Sequence, residues 1–256
     1  MKWLRFQSGA RTGFGTLDAD AGTVHVHGGT LFDEPEPSGE RLALGEIAWL
    51  TPCAPSKIIG LWNNFHALAD KNGWARPTEP LYFLKAPSSA AAHDQAIAAL
   101  PEALGRVAYE GELAIVIGRR ARCIAPDAAA AHIFGYTCAN DVTAIELLGR
   151  DPAFPQWTRA KSFDGFAAFG PVIETAFDPA RATLRTRVAG RERQHYALAD
   201  MIFAPAELVS RLSHDMTLEP GDLILCGTSL GVLPMKAGSE VEVEIEGIGV
   251  LANRYG

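Results

Sequence analysis

Residues 109–118 read YEGELAIVIG, a stretch that sets two glutamates around one glycine at the mouth of an apolar run. Leu113 to Ile117 are uninterruptedly apolar, rich in β-branched side chains and too few for a confident helix, so they predict a buried strand. On a strand, positions two apart share a face, which puts Glu110 and Glu112 side by side. Adjacent carboxylates repel, and burying one ion without a partner costs several kcal/mol. Compensation has to come from protonation of one glutamate, from a basic partner or from a cation.

The rest of the chain narrows the setting. At 256 residues, with 48% hydrophobic and 21% charged side chains, it suits one large domain, or a large domain with a small appendage. The net charge of −7 and the lack of any basic run longer than Arg119–Arg120 argue against nucleic acid as a partner. Cys53, Cys123, Cys138 and Cys226 form no C-x-x-C pair, which fits reduced thiols and argues against a zinc ribbon or disulfide framework. No window approaches the roughly 18 apolar residues of a membrane span, and MKWLRFQSGARTG lacks the apolar centre of a signal peptide. The expectation is a cytoplasmic protein that binds neither nucleic acid nor membrane.

Residues 1–52 predict a small β appendage of short strands, interrupted where DEPEPSGE brings two prolines and a glycine. His25 and His27 share a strand face there, but with no third ligand nearby they read as an exposed polar face. From Ile58 the texture changes. NNFHALADKNG predicts a short helix with Asn63 or Asn64 as cap and Gly73 as stop. EPLYFLKAP predicts a strand, SSAAAHDQAIAAL a possible helix, and DAAAAHIFGYTCAND a helix leading into a strand that ends at Asn140–Asp141. The long, Pro- and Gly-punctuated stretch after Asp141 reads as irregular, and loops of that length usually serve a site. A further helix is expected over APAELVSRLSHDM, with Ala206, Leu208, Val209 and Leu212 on its apolar face.

Near the end, Val241, Val243 and Ile245 alternate with Glu240, Glu242, Glu244 and Glu246, the pattern of a half-buried strand with a solvated acidic face. Glu110 and Glu112 differ, because only two charges precede an otherwise apolar run. A hard divalent cation would neutralise them, and Mg²⁺ or Mn²⁺ suits an all-oxygen ligand set. Asp141, at the end of its own predicted strand, is a candidate third carboxylate. Ordinary salt bridges remain open as the alternative.

In this order, YEGELAIVIG, GYTCANDVT, AKSFDGFAAFGPVI, LEPGDLILCGTSLGV and VEVEIEGIGVLANR resemble the fumarylacetoacetate hydrolase family. The resemblance covers roughly Lys57 to Arg254. It implies an α+β, mainly β fold with a mixed β-roll core, a homodimer, and Mg²⁺- or Mn²⁺-dependent action on small 2-oxo acids. Residue by residue, it implies Glu110, Glu112 and Asp141 as metal ligands and Lys161 as the lysine that meets substrate or the developing enolate. It implies Thr228 as a contact for the substrate carboxylate, with Gly227 letting backbone N–H groups approach, and Lys85 as a residue facing the site. His66 matches a histidine that serves as general base for an attacking water. The glutamate that often orients it is replaced by Ala69, so Asp70, one turn along a helix from His66, is the candidate substitute.

The chemistry so implied rests on a 2-oxo acid chelated through its carboxylate and keto oxygens, with Lewis-acid stabilisation of the enolate formed when C3–C4 breaks. The leading expectation is hydrolysis of an acylpyruvate such as fumarylpyruvate or acetylpyruvate. The alternative is decarboxylation or isomerisation of a 2-oxo acid of the oxaloacetate or 2-oxo-hept-ene-dioate type, as in aromatic catabolism. A non-catalytic relative that keeps the fold is the reading from another class. Trp62, Phe65, Trp157 and Arg159 are candidates for the wall around the substrate's tail.

Overall fold

The computed structural model describes all 256 residues. Gly111–Ile117 is a strand, and every residue in it is buried. Its apolar run is continuous because both faces are covered. Leu113, Ile115 and Ile117 join the main core with Leu184, Val243 and Ile245, while Ala114 and Val116 join a second core with Trp3, Ile58 and Phe169. Alternation would be required only of a strand with one wet face.

This strand lies within a twelve-stranded mixed sheet. On one side it pairs antiparallel with Ile133–Asp141, on the other with Leu223–Leu225, which runs parallel to Ile58–Trp62. Leu81–Lys85 closes that end of the sheet. A five-stranded sheet packs across the main core, and a small three-stranded one includes Val107–Ala108 and Thr143–Ala144. Four short α-helices complete an α+β, mainly β fold. No helix is long and apolar enough to cross a membrane.

The N-terminal strands do not form a sheet of their own. Lys2–Ser8 pairs with Ala167–Glu174, so residues 2–43 extend the twelve-stranded sheet to its other end. DEPEPSGE, expected to interrupt the chain, lies inside the strand Asp33–Ala43. That strand is outermost and carries register shifts, and an edge strand tolerates prolines because one side of its backbone needs no ladder partner. His25 and His27 alternate with buried Val24 and Val26, as an outer polar face should.

The helix expected near residue 66 spans His66–Asn72 and stops at Gly73, whose φ of 65° is the left-handed conformation that favours glycine. Its start differs from expectation. Phe65 is the cap residue, and Asp200, from a distant segment, accepts the Ala67 N–H at 3.0 Å. Asn64 is instead buried, bonding the backbone of Phe203 and Cys226. SSAAAHDQAIAAL forms no α-helix. Its Ala90–Ala91 pair adds to the interior strand Ala167–Glu174 and Ala96–Ile97 to the edge of the five-stranded sheet, so tertiary pairing overrides alanine's helix propensity. Ala129–His132 makes only a 3₁₀ turn before its strand. The stretch after Asp141 holds two short helices, Ile145–Leu148 and Trp157–Lys161. Pro205–Asp215 is helical as expected, with Leu208, Val209 and Leu212 buried.

Candidate active site

Strand register brings the carboxylates together. Gly111 pairs with Asn140 and Glu112 with Ala139, and the Asp141 N–H donates to the Glu110 carbonyl at 2.8 Å. Glu110, Glu112 and Asp141 thereby share one sheet face, with ligand-capable oxygens within 4.8 Å of one another. The glycine between the glutamates points the other way, towards the second sheet. A Cβ on Gly111 would stand 2.1 Å from the Thr186 hydroxyl, so no side chain fits there.

Two lysines answer part of the charge. Lys161, at the end of its helix, donates to Glu110 Oε1 at 2.9 Å and Asp141 Oδ2 at 2.6 Å. Lys85, fully buried, donates to Asp141 Oδ1. Thr143 adds a hydroxyl bond to Glu110 Oε1 at 2.5 Å. Glu112 receives one bond, from the Gly227 N–H to Oε2 at 2.7 Å, and its buried Oε1 has no partner.

The electrostatics divide accordingly. Burial, then the charges of Asp141 and Glu110, push the Glu112 carboxyl well above the usual carboxylate range. Burial alone would also raise Asp141, but Lys161 and Lys85 hold it below. Burial lowers Lys85 despite Asp141. For Lys161 the three carboxylates outweigh burial and keep the ammonium charged. Two lysines thus face three carboxyl groups, and one buried carboxyl oxygen is left without a partner. That residual demand, with an all-oxygen donor set, is what a hard divalent cation satisfies. The cluster could hold one.

A cavity of about 230 Å³ opens above the cluster. Glu110, Lys161, Thr228 and Asn63 supply its polar lining; Trp62, Trp74, Phe83 and Trp157 dominate the rest. Lys161 Nζ lies 5.1 Å from the centre of the Phe83 ring.

Several expected site residues stand elsewhere than the sequence implied. Asp70 is exposed and bonded to Arg76 at 3.0 Å, not to His66. His66 is outside the cavity lining, and its buried Nδ1 has no partner. The Gly227 N–H donates to Glu112 and fixes that carboxylate. Lys85 lies behind Asp141 and lines no part of the cavity. Thr228 does line it, donating to the Gly111 carbonyl at 2.9 Å and accepting from Gln194 at 2.9 Å. Phe65 is buried against Tyr196, away from the tail wall.

Sequence reading missed Gln194, Tyr196 and Trp74. Gln194 is a buried bracket: its Oε1 accepts the Gly111 N–H at 3.0 Å while its Nε2 holds the Thr228 loop. Tyr196 donates to the Gly111 carbonyl at 2.6 Å. Their signal was period-two spacing with Leu198, all three buried within a polar-looking segment.

A carboxylate–lysine cluster at one end of a mixed β core, under an aromatic-lined cavity, defines the class. Comparison with known proteins gives the family. Residues 57–255 match the fumarylacetoacetate (FAA) hydrolase C-terminal family, and residues 1–52 match an N-terminal family described as Rv2993c-like. The chain belongs to the fumarylacetoacetate hydrolase family. Among its relatives is an oxaloacetate tautomerase of Bacillus subtilis, 37% identical over 84% of this chain and 75% of that protein. A bifunctional 4-hydroxyphenylacetate degradation isomerase/decarboxylase of Salmonella dublin is 38% identical over 78% of this chain and 47% of its own length. In structure, the chain is similar to a 5-carboxymethyl-2-hydroxymuconate delta-isomerase from Mycobacterium smegmatis. The TM-score is 0.92 at 35% identity, covering 100% of this chain and 99% of that one.

Proposed function

We propose that this enzyme, dependent on Mg²⁺ or Mn²⁺, acts on a small 2-oxo acid through its enolate, by isomerisation or decarboxylation. The observation that carries the reading is Lys161, a charged ammonium on the cavity wall clamped between Glu110 and Asp141. A cation held by Glu110, Glu112 and Asp141 supplies Lewis-acid stabilisation of negative charge on the substrate's oxygens. Lys161 adds a fixed positive charge beside them, already oriented before charge develops. The Thr228 hydroxyl is the polar wall contact for the substrate carboxylate. Apolar walls exclude water and strengthen each of these interactions. Loss of CO2 from a β-carboxyl group leaves its electron pair as the enolate, loss of a proton from C3 does the same with the proton passing to a solvent or buffer base, and neither step needs a water activated as a nucleophile. The names of the tautomerase and isomerase relatives support the same chemistry.

Hydrolysis of an acylpyruvate is the second reading, favoured by the unpartnered Nδ1 of His66. It requires an oriented base, and Asp70 is engaged with Arg76. Product analysis by NMR, with and without Mg²⁺ or Mn²⁺, on oxaloacetate and a panel of acylpyruvates tests both. Metal-dependent tautomerisation or decarboxylation with intact acylpyruvates is the expected result. Release of pyruvate plus a carboxylic acid from an acylpyruvate would put hydrolysis first. His66→Ala is expected to change the enolate reactions by less than about threefold. Loss of roughly 10²–10⁴-fold would instead assign His66 to proton transfer.

A homodimer belongs to the same proposal. Leu81, Tyr82 and Leu84 are exposed on the outermost strand, Leu81–Lys85, which supports an apolar contact between copies. Light scattering that returned the mass of one chain would remove it.

A further inference from the structure

Resting on the reading that this cavity takes 2-oxo acids, we propose that its substrate carries an apolar, planar tail beyond C3, with no carboxylate at the far end of that tail. The charged groups of the lining, Glu110 and Lys161, both belong to the carboxylate cluster. Apart from Asn63 and Thr228, the remaining wall is apolar, half of its side chains aromatic. The Trp62 ring lies 5.0 Å from Trp74 and 6.3 Å from Trp157, and Phe83 stacks on Trp157 at 5.1 Å with the planes 16° apart.

No basic side chain of the lining is available to a distal carboxylate. Lys161 is shared between Glu110 and Asp141. Arg159, two residues beyond Trp157, is exposed, bonded to Gln156 Oε1 at 3.2 Å, and absent from the lining. A carboxylate at the far end of the tail would therefore lose hydration against apolar walls and gain no partner. A flat apolar tail meets apolar side chains instead and buries area without desolvating a charge. Space is sufficient: the cavity's 230 Å³ exceeds the roughly 150 Å³ that admits a benzene ring.

The test is calorimetric titration of the Mg²⁺-loaded protein with pyruvate, 2-oxoglutarate and phenylpyruvate, which share one head and differ in tail. Phenylpyruvate is expected to bind at least about tenfold more tightly than 2-oxoglutarate. Trp157→Ala should bring that ratio towards one, and Trp157→Phe should keep most of it. Equal or tighter binding of 2-oxoglutarate, or no binding of phenylpyruvate, overturns the proposal. Exchange of C3 hydrogens in D2O, followed by NMR on the same samples, separates this from the reaction. Preferential binding of phenylpyruvate without exchange above the buffer rate would sustain the tail assignment and overturn the enolate chemistry.

Discussion

Glu112→Gln is expected to abolish Mg²⁺ binding and to lower turnover by roughly 10²–10⁴-fold, while the protein still folds. The size follows from losing a Lewis-acid contribution of several kcal/mol at 1.36 kcal/mol per decade. Folding should survive because Glu112 is a liability in the cation-free protein. It is wholly buried, takes a single hydrogen bond and sits beside two other carboxylates. Glutamine retains an oxygen for the Gly227 N–H and removes the charge. The variant should therefore melt no lower than the unsubstituted protein without metal, and should lose the rise in melting temperature that Mg²⁺ gives by binding only the folded state. Calorimetric Mg²⁺ affinity left unchanged in the variant would remove the basis of the metal assignment.

The largest effect on stability is expected at Asp222. Its side chain is fully buried and accepts from the Ser56 N–H at 3.0 Å, the Ser56 hydroxyl at 2.6 Å, the Lys57 N–H at 3.1 Å and the Glu219 N–H at 2.7 Å, as well as from the Lys57 ammonium. These bonds tie together the two turns that lead into the parallel pair Ile58–Trp62 and Leu223–Leu225. Asp222→Ala leaves several donors in a closed space and an ammonium unpaired, a loss of about 3–5 kcal/mol. At roughly 2–4 °C per kcal/mol for a chain of this size, the melting temperature should fall by about 10 °C. Asp222→Asn, which keeps an acceptor oxygen, should lose less. A fall under about 2 °C for the alanine variant would mean that strand pairing holds these turns unaided.

Asp222 also shows where local reading stops. It stands in LEPGDLIL, where Pro and Gly announce a turn and the apolar triplet announces a strand. Nothing local says that the carboxylate reaches back to residues 56 and 57. Asp70 is the converse case. One turn along the helix from His66 is a correct distance for pairing, yet Arg76 takes its carboxylate on the solvent side. Spacing fixes which side chains are near each other along one element; competition with the rest of the molecule decides which of them bond.

Taken alone, the sequence determined the elements with strong period or punctuation: the buried Gly111–Ile117 strand, the acidic-faced Ser239–Ile245 strand, the helix of residues 205–215 and the stop at Gly73. It also determined that two glutamates share one face and need a counter-charge, because side-chain period on a strand is a local property. Tertiary structure alone decided how that need is met. Lys161 and Lys85 arrive from a helix and a strand remote in sequence, Asp141 is set opposite by antiparallel register, and the Gly227 N–H fixes one oxygen of Glu112 while its neighbour stays bare. Such pairings depend on register, burial and the exclusion of water, which are properties of the assembled sheets and not of any one segment.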